Sequence, residues 1–543
     1  MKTIRIIYDK LIYVLIFTFF FILYNLSISH VLSISHDSVK YLNDIEKSIY
    51  LYHPHHLLYQ VVNILWMKFL LLFHFSIPTY ILVTSFNCFF GALTLSFLYY
   101  FLNKILNMEL LKSIVFTLLI GFSFGFWFYS ICVEVYILPV FFIVLSTIFY
   151  FKLDVNKLYI FPLAIFSGLS VLFHQAHLLF GISIIISLIF KYKKDVKSLS
   201  KFVLLFGTTF TIIIVIPYFI IMHYNMNLRT FNDMFYWLTT YSHELNYWNS
   251  INLNIIPKDL TGLSRAFITP HGLLISDYFQ NIFFNMFPNK NLVDDTFIVR
   301  NLNSGYFIIY LTLLFTFISI IIFLLLKILK NILKIYKENK TNLIYLIIFI
   351  FVYSIFFSFW DSTNQEFWIP QSIFMWLSLA IITNEVLNTR LLKTILIILV
   401  LVLFFINWFF CIRLTNNINN DYYYQETIKI QKIYYNANVV LFLNKPWIIG
   451  DYLDRYSKLI SYQIKEHPSN RNEINPNNSK INILAQLSLR KSILVDFDST
   501  YSTKKENILK TKYYYIKFST DSFSIIKNRF YNKDWFLIKK KDL

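Results

Sequence analysis

Residues 57–73, Leu-Leu-Tyr-Gln-Val-Val-Asn-Ile-Leu-Trp-Met-Lys-Phe-Leu-Leu-Leu-Phe, decide how the chain is threaded. The run comes close to the roughly 20 apolar residues that cross a bilayer. It carries Gln60, Asn63 and Lys68 along its length, however, and follows the polar run His53-Pro54-His55-His56. Apolar residues with polar groups spaced among them read as an amphipathic helix lying in the interface on the outer side of a membrane. If it crossed instead, Lys104 and Lys112 would lie outside and every later loop would be inverted.

With that run left out, eleven spans are expected, at about 11–29, 78–102, 113–131, 136–151, 158–173, 177–190, 202–222, 304–326, 342–360, 367–384 and 392–412. A cytoplasmic N-terminus then puts Lys104 and Lys112, Lys152 and Lys157, and Lys191, Lys193, Lys194, Lys197 and Lys201 inside. Lys327, Lys330, Lys334, Lys337, Lys340, Arg390 and Lys393 fall on the same side. The short outside connections 131–135, 174–176 and 361–366 hold no Lys or Arg, as the positive-inside rule requires.

Composition agrees. The 543 residues are 57% hydrophobic and 15% charged, with a mean hydropathy of +0.55, which excludes a single soluble core. Bilayer-spanning segments must satisfy their own backbone groups, and runs of this length do so as helices. The net charge of +19 is therefore read first as loop bias rather than as affinity for nucleic acid. The run 11–28 follows Lys2, Arg5 and Lys10 like a signal peptide, but no small-residue cleavage site follows it, so an uncleaved first span is expected. Cys88, Cys132 and Cys411 all lie in or beside apolar segments and offer no disulfide framework.

The expected organisation is a transmembrane part over 1–412, with outer loops at 28–77 and 224–303, and a small extracytoplasmic α/β domain over 413–543. Short β-prone runs mark the last: Val439–Leu443, Ile481–Ala485, Ser492–Phe497, Tyr513–Phe518 and Trp535–Ile538. The 224–303 loop gathers Tyr236, Trp237, Tyr241, Tyr247 and Trp248, aromatics that either stack on sugars or anchor the loop at the interface. The halves show no repeat of the kind that marks inverted-repeat transporters.

A charged group at the bilayer centre costs roughly 2.5 to 3.5 kcal/mol, so the placement of acids in so apolar a chain carries information. Asp37 lies in the first outer loop, Glu134 at the outer end of the third span, and Asp361 and Glu366 in an outer turn. His174 and His177 bracket another outer turn, and His53, His55 and His56 precede the interfacial helix. Taken singly, each has a structural role open to it: a solvated loop acid, a helix-end carboxylate, a turn histidine. His174-x-x-His177 has metal-pair spacing but no third ligand nearby in sequence. Together with Tyr59, Trp127 and Tyr136, these groups converge on one face, where a cavity could hold a lipid-linked anionic substrate and a polar acceptor.

Three stretches carry a resemblance. They are His36-Asp37-Ser38 followed by His53-Pro54-His55-His56-Leu57-Leu58-Tyr59; Phe122-Ser123, Phe126-Trp127 and Glu134-Val135-Tyr136 in order; and Gly168-Leu169-Ser170 running to His174. They resemble the GT-C superfamily of polyprenyl-phosphate-sugar glycosyltransferases, in its protein O-mannosyltransferase-like branch. The match covers about residues 1–190, with weaker echoes at 364–370 and in the tail. His36 stands where that branch commonly has Gly, and His55-His56 replaces Pro-Gly. The resemblance implies an all-α multi-span bundle in a bacterial plasma membrane or the endoplasmic reticulum, and an inverting transfer of sugar to a hydroxyl acceptor. It implies Asp37 as general base, Glu134 orienting the acceptor or the sugar, and the histidines facing the phosphate, with no metal or other cofactor. Two other readings stand beside it: a flippase for lipid-linked saccharides, and an assembly protein that recruits a partner through 413–543.

Overall fold

The computed structural model describes residues 2–543 apart from 74–76, 240–247, 250–251, 253–254, 288–291, 387–388, 435–438, 444–447, 458–459, 465–472, 475–491, 497–512, 520–533 and 541–543. The expected strand Ile481–Ala485, Phe497, Tyr241 and Tyr247 lie outside the described residues. The chain divides into two compact units: Met1–Ser29, Asp44–Gly272 and Gly305–Arg413 in one, and His30–Asn43, Leu273–Ser304 and Leu414–Leu543 in the other.

The first unit is a multi-pass helical membrane bundle. Among the described residues seven helices are long and apolar enough to span, and a bent pair makes an eighth. The eleven spans read from the sequence are not reached on length: Leu11–Leu26, Ile137–Lys152 and Lys157–Phe173 are apolar helices of 10–17 residues.

The bent pair corrects the straight span expected at 113–131. Leu110–Phe122 and Phe124–Ser130 meet at 67°, because Ser123 leaves the helical region (φ −61°, ψ 134°). Such breaks free backbone groups that apolar surroundings cannot satisfy, so neighbours must do it. Asn407 donates to the Phe122 carbonyl at 2.8 Å and to the Phe267 carbonyl at 2.9 Å, while its own oxygen accepts from the Thr269 N–H at 2.9 Å. Trp376 donates to the Ser123 hydroxyl at 2.8 Å. After the kink, residues 131–135 form a buried loop.

The run Ser304–Phe359 is one helix of 56 residues, yet it turns back on itself. Tyr310 donates to the Thr269 carbonyl and Ser358 donates to Asp259. A straight helix would separate residues 310 and 358 by about 72 Å at 1.5 Å per residue, whereas residues 259 and 269 are at most about 36 Å apart even fully extended. The two spans expected at 304–326 and 342–360 therefore begin and end near one face.

The run 57–73 holds a helix, Tyr59–Leu71, too short to span on length. Its buried side is Tyr59, Gln60, Asn63 and Ile64, and its exposed side is Leu65, Phe69 and Leu71. Gln60 and Asn63 thus face protein, while Leu65, Lys68, Phe69 and Leu71 face out. Trp66 pins it to the neighbouring Thr79–Tyr100 helix by donating to Ser85 at 2.9 Å.

In the second unit six strands form a sheet in the order Glu473–Ile474, Ile460–Ile464, Val439–Leu443, Ser492–Asp496, Asp534–Lys540, Tyr513–Ser519. The first four are mutually parallel, and the last two join antiparallel. The helix Ile448–Tyr456 connects Val439–Leu443 to its parallel neighbour Ile460–Ile464, as a parallel pairing demands of its crossover. Asp421 ties this unit together. Its carboxylate accepts from the Leu32 N–H at 2.9 Å, the Tyr424 N–H at 3.0 Å and the Tyr452 hydroxyl. Burial nevertheless pushes Asp421 up to about 6, and buried Asp294, facing Asp421 and Asp295, lies well above the usual carboxylate range.

Candidate active site

The site in the first unit is built around the buried loop after the kink. Glu134 is 2% exposed, deep for a carboxylate. Its place is set by Asn87, a fully buried amide in the Thr79–Tyr100 helix, which donates to the Cys132 carbonyl at 2.8 Å and the Glu134 carbonyl at 2.7 Å. The Tyr59 side chain lies close to Glu134, Asn87 and Asn63, and the Asn63 amide donates to the Tyr59 carbonyl at 2.9 Å.

From there a continuous set of rings and polar groups runs outward. Tyr136 packs on Tyr129 at 5.2 Å and on His174 at 5.2 Å. Tyr129 donates to Glu366 at 2.6 Å, a short charge-assisted bond. His174 lies 5.5 Å from His177, whose Nδ1 meets the Tyr353 hydroxyl at 2.8 Å. Tyr136, His174, His177, Tyr353, Glu366 and Phe367 line one small cleft.

The His-Pro-His-His run lies beside it. His53 stacks on His56 at 4.4 Å, and the His56 ring meets the Gln60 side chain at 3.2 Å. The Gln175 N–H donates to the His55 carbonyl at 2.7 Å, and Tyr218 donates to the Pro54 carbonyl, so this turn is docked onto the 174–177 turn. Burial pushes His55 down to about 4, and burial together with the other imidazoles holds His56 and His174 well below the ordinary histidine range. Near neutral pH these rings are uncharged, so they would meet a phosphate as N–H donors rather than as cations. Among the described residues no group of three or more His, Cys, Asp or Glu is arranged to hold a metal ion.

The structure therefore brings together Glu134, Tyr136, Tyr59, His53, His55, His56, His174, His177 and Glu366. Two other residues have structural partners, and one of them, Asp361, shares Asn364 with Glu366. Trp127 is fully buried in an aromatic stack with Phe404 at 5.6 Å and Trp408 at 5.9 Å, its indole bonded to Ser27, so it belongs to the core and not to a substrate surface. Asp361 makes a turn in the left-handed region (φ 36°), its carboxylate taken up by Thr363 and Asn364 of the same turn. Sequence reasoning missed Asn87, Tyr129 and Tyr353. Asn87 could have been found as the one strong polar group in the middle of a 22-residue apolar helix; the two tyrosines carry no comparable signal.

Asp37 belongs to the second unit. His36 before it takes the left-handed conformation (φ 59°), which explains why glycine suits that position. The Asp37 N–H bonds the Ser35 carbonyl at 2.7 Å, and Tyr41 donates to its carboxylate at 3.4 Å. Burial raises the Asp37 carboxyl above its ordinary value, against opposing pulls from Lys40 and Tyr41. A raised carboxylate is a stronger base once ionised.

No protein-family model matches the chain, and no curated protein matches it. Among solved structures it is similar to ArnT from Cupriavidus metallidurans bound to undecaprenyl phosphate, with a TM-score of 0.56 at 8% identity, covering 99% of this chain and 98% of that one. It is also similar to apo ArnT from the same organism, with a TM-score of 0.52 at 9% identity and the same coverage. At such identities the likeness is one of fold, and it runs the length of both chains.

Proposed function

We propose that the chain is an integral membrane glycosyltransferase of the GT-C type that moves a sugar from a polyprenyl-phosphate donor to a hydroxyl acceptor on the outer side of the membrane, inverting the anomeric carbon. The observation that carries this reading is the fold shared over nearly the full chain with ArnT, whose structure holds undecaprenyl phosphate. The cluster of neutral histidines, tyrosines and buried carboxylates supports it. The eleven-span topology, with the N-terminus cytoplasmic and the sheet-bearing unit extracytoplasmic, belongs to the same reading, as does the O-mannosyltransferase-like branch.

In this mechanism the acceptor hydroxyl attacks the anomeric carbon while Asp37 takes its proton. The carbon–oxygen bond to the phosphate breaks, and the polyprenyl phosphate leaves with the bonding electron pair. A hydroxyl whose pKa lies far above 7 needs such a positioned carboxylate as the new bond forms. The leaving phosphate gains charge, which N–H groups of His53, His55, His56 and His174 would follow by hydrogen bonding. Glu134, Tyr136 and Glu366 would hold sugar hydroxyls, and no metal takes part.

The test is sugar transfer from an undecaprenyl-phosphate-linked donor in proteoliposomes. Asp37→Asn should lose about 100-fold or more of the rate, the usual worth of a general base. Equal rates for Asp37→Asn and the wild type would remove Asp37 from the mechanism, and movement of labelled lipid across the bilayer without covalent transfer would replace the reading with a flippase.

A further inference from the structure

A second cavity lies wholly within the second unit, between the short helix Val293–Ile298 with the turn after it and the helix Tyr422–Tyr434. Its volume is about 270 Å³, the share of about nine water molecules at roughly 30 Å³ each. That is just under the lower end of drug-sized pockets, roughly 300 Å³, and suits a single ring-sized polar molecule.

Its walls are organised before any ligand arrives. The Arg300 guanidinium lies 3.7 Å over the Phe297 ring. It donates to the Phe297 carbonyl at 2.7 Å, to the Asn420 side chain at 3.1 Å and to the Asn419 carbonyl at 3.0 Å. A cation held in this way loses little freedom on binding an anion. Opposite it, Gln425, Glu426 and Lys429 occupy adjacent turns of one helix and line the same space. Gln425 donates to the Asn419 side chain at 3.2 Å, making a wall of amides. Tyr422, packed edge-on against Phe297 at 5.3 Å, adds an aromatic surface.

Two cations against one buried carboxylate call for one negative charge on the ligand. Two side-chain amides and a carboxylate call for several hydroxyls, which donate and accept in the pattern that amides offer. An aromatic surface favours the C–H faces of a ring over a small inorganic ion. We propose that this cavity binds an acidic monosaccharide unit, a sugar ring carrying one carboxylate. The proposal goes beyond the transferase reading and does not need it. On that reading, the cavity would hold a charged sugar of the acceptor glycan.

The experiment is calorimetric titration of the full chain in detergent with glucuronate, and with glucose and acetate as the two halves of its chemistry. Saturable glucuronate binding is expected, about tenfold or more tighter than either control, since a charge-assisted hydrogen bond adds about that factor. Lys429→Gln should weaken it about tenfold while leaving the thermal midpoint in place. Gln425→Ala, which removes an amide from the wall, should also weaken it and stands in if Lys429→Gln fails to fold. No saturable binding, acetate binding as tightly as glucuronate, or a folded Lys429→Gln that binds unchanged would each overturn the proposal. Because no donor lipid is present, failure here leaves the transfer reaction untouched, and a dead Asp37→Asn enzyme leaves this binding intact.

Discussion

Asn87→Leu tests whether one buried amide holds the 131–135 loop. The substitution keeps nearly the same shape, so little cavity is opened, but it removes both hydrogen bonds that the side chain donates, to the Cys132 carbonyl at 2.8 Å and the Glu134 carbonyl at 2.7 Å. Residues 131–135 are all buried, so water does not replace the lost donor. Each orphaned buried carbonyl costs about 1–3 kcal/mol, giving about 2–6 kcal/mol for the pair. Part of that cost can be relieved by the loop moving, and the loop carries Glu134. The variant should therefore show both a lowered thermal midpoint in detergent and a rate loss that persists well below that midpoint. Asn87→Asp, which keeps the size but as an ionised carboxylate cannot donate, should share both defects. A thermal midpoint and transfer rate both within error of the wild type for Asn87→Leu would refute the idea that this amide positions the loop.

Asp421, raised to about 6 from an ordinary 3.8, makes the second unit pH-sensitive. A carboxyl raised on folding favours the native state when protonated. That stability is complete below about pH 4 and is lost as pH rises through about 6, by about 3 kcal/mol at 1.36 kcal/mol per unit. The fall in thermal midpoint between pH 4 and pH 7 should be smaller in Asp421→Asn, and an unchanged slope would contradict it. Two glycines give opposite signs. A Cβ on Gly262 would run into the Ser362 carbonyl and the Trp368 indole, which bond each other, so Gly262→Ala should destabilise. Gly207 has nothing within 4 Å, so Gly207→Ala should gain up to about 1 kcal/mol from helix propensity, read as a higher thermal midpoint. Treatment with EDTA followed by dialysis should leave the transfer rate unchanged; a loss restored by a divalent cation would bring a metal into the reaction.

What the sequence disclosed follows from how locally each feature is written. Lipid-facing helices announce themselves by uninterrupted apolar runs such as 202–222 and 392–412, and these lie in the helices Val196–Ile220 and Arg390–Asn407 with their continuations. The kink at Ser123 was not legible, because its cost is met by Asn407 and Trp376, more than 250 positions away. The partners of the 59–71 helix were hidden for a related reason. Gln60 and Asn63 look like a water-facing stripe until their buried partners are known. Trp127 matched a motif, yet the fold uses it as core.

The same asymmetry explains how a fold persists when sequence identity falls to 8%. The bilayer fixes where the backbone must be helical and where it can open, so non-helical backbone such as 131–136 is tolerated only where protein encloses it. Enclosure concentrates polar groups at that place, because each freed carbonyl needs a donor such as Asn87, and the half-buried Glu366 carboxylate takes the Tyr129 hydroxyl. A chain can replace nearly every apolar residue by another and keep this arrangement. Polar side chains then gather at the break in the helices rather than along the apolar runs. It is at such a break that Glu134, Tyr136 and the histidines of the 174–177 turn lie together.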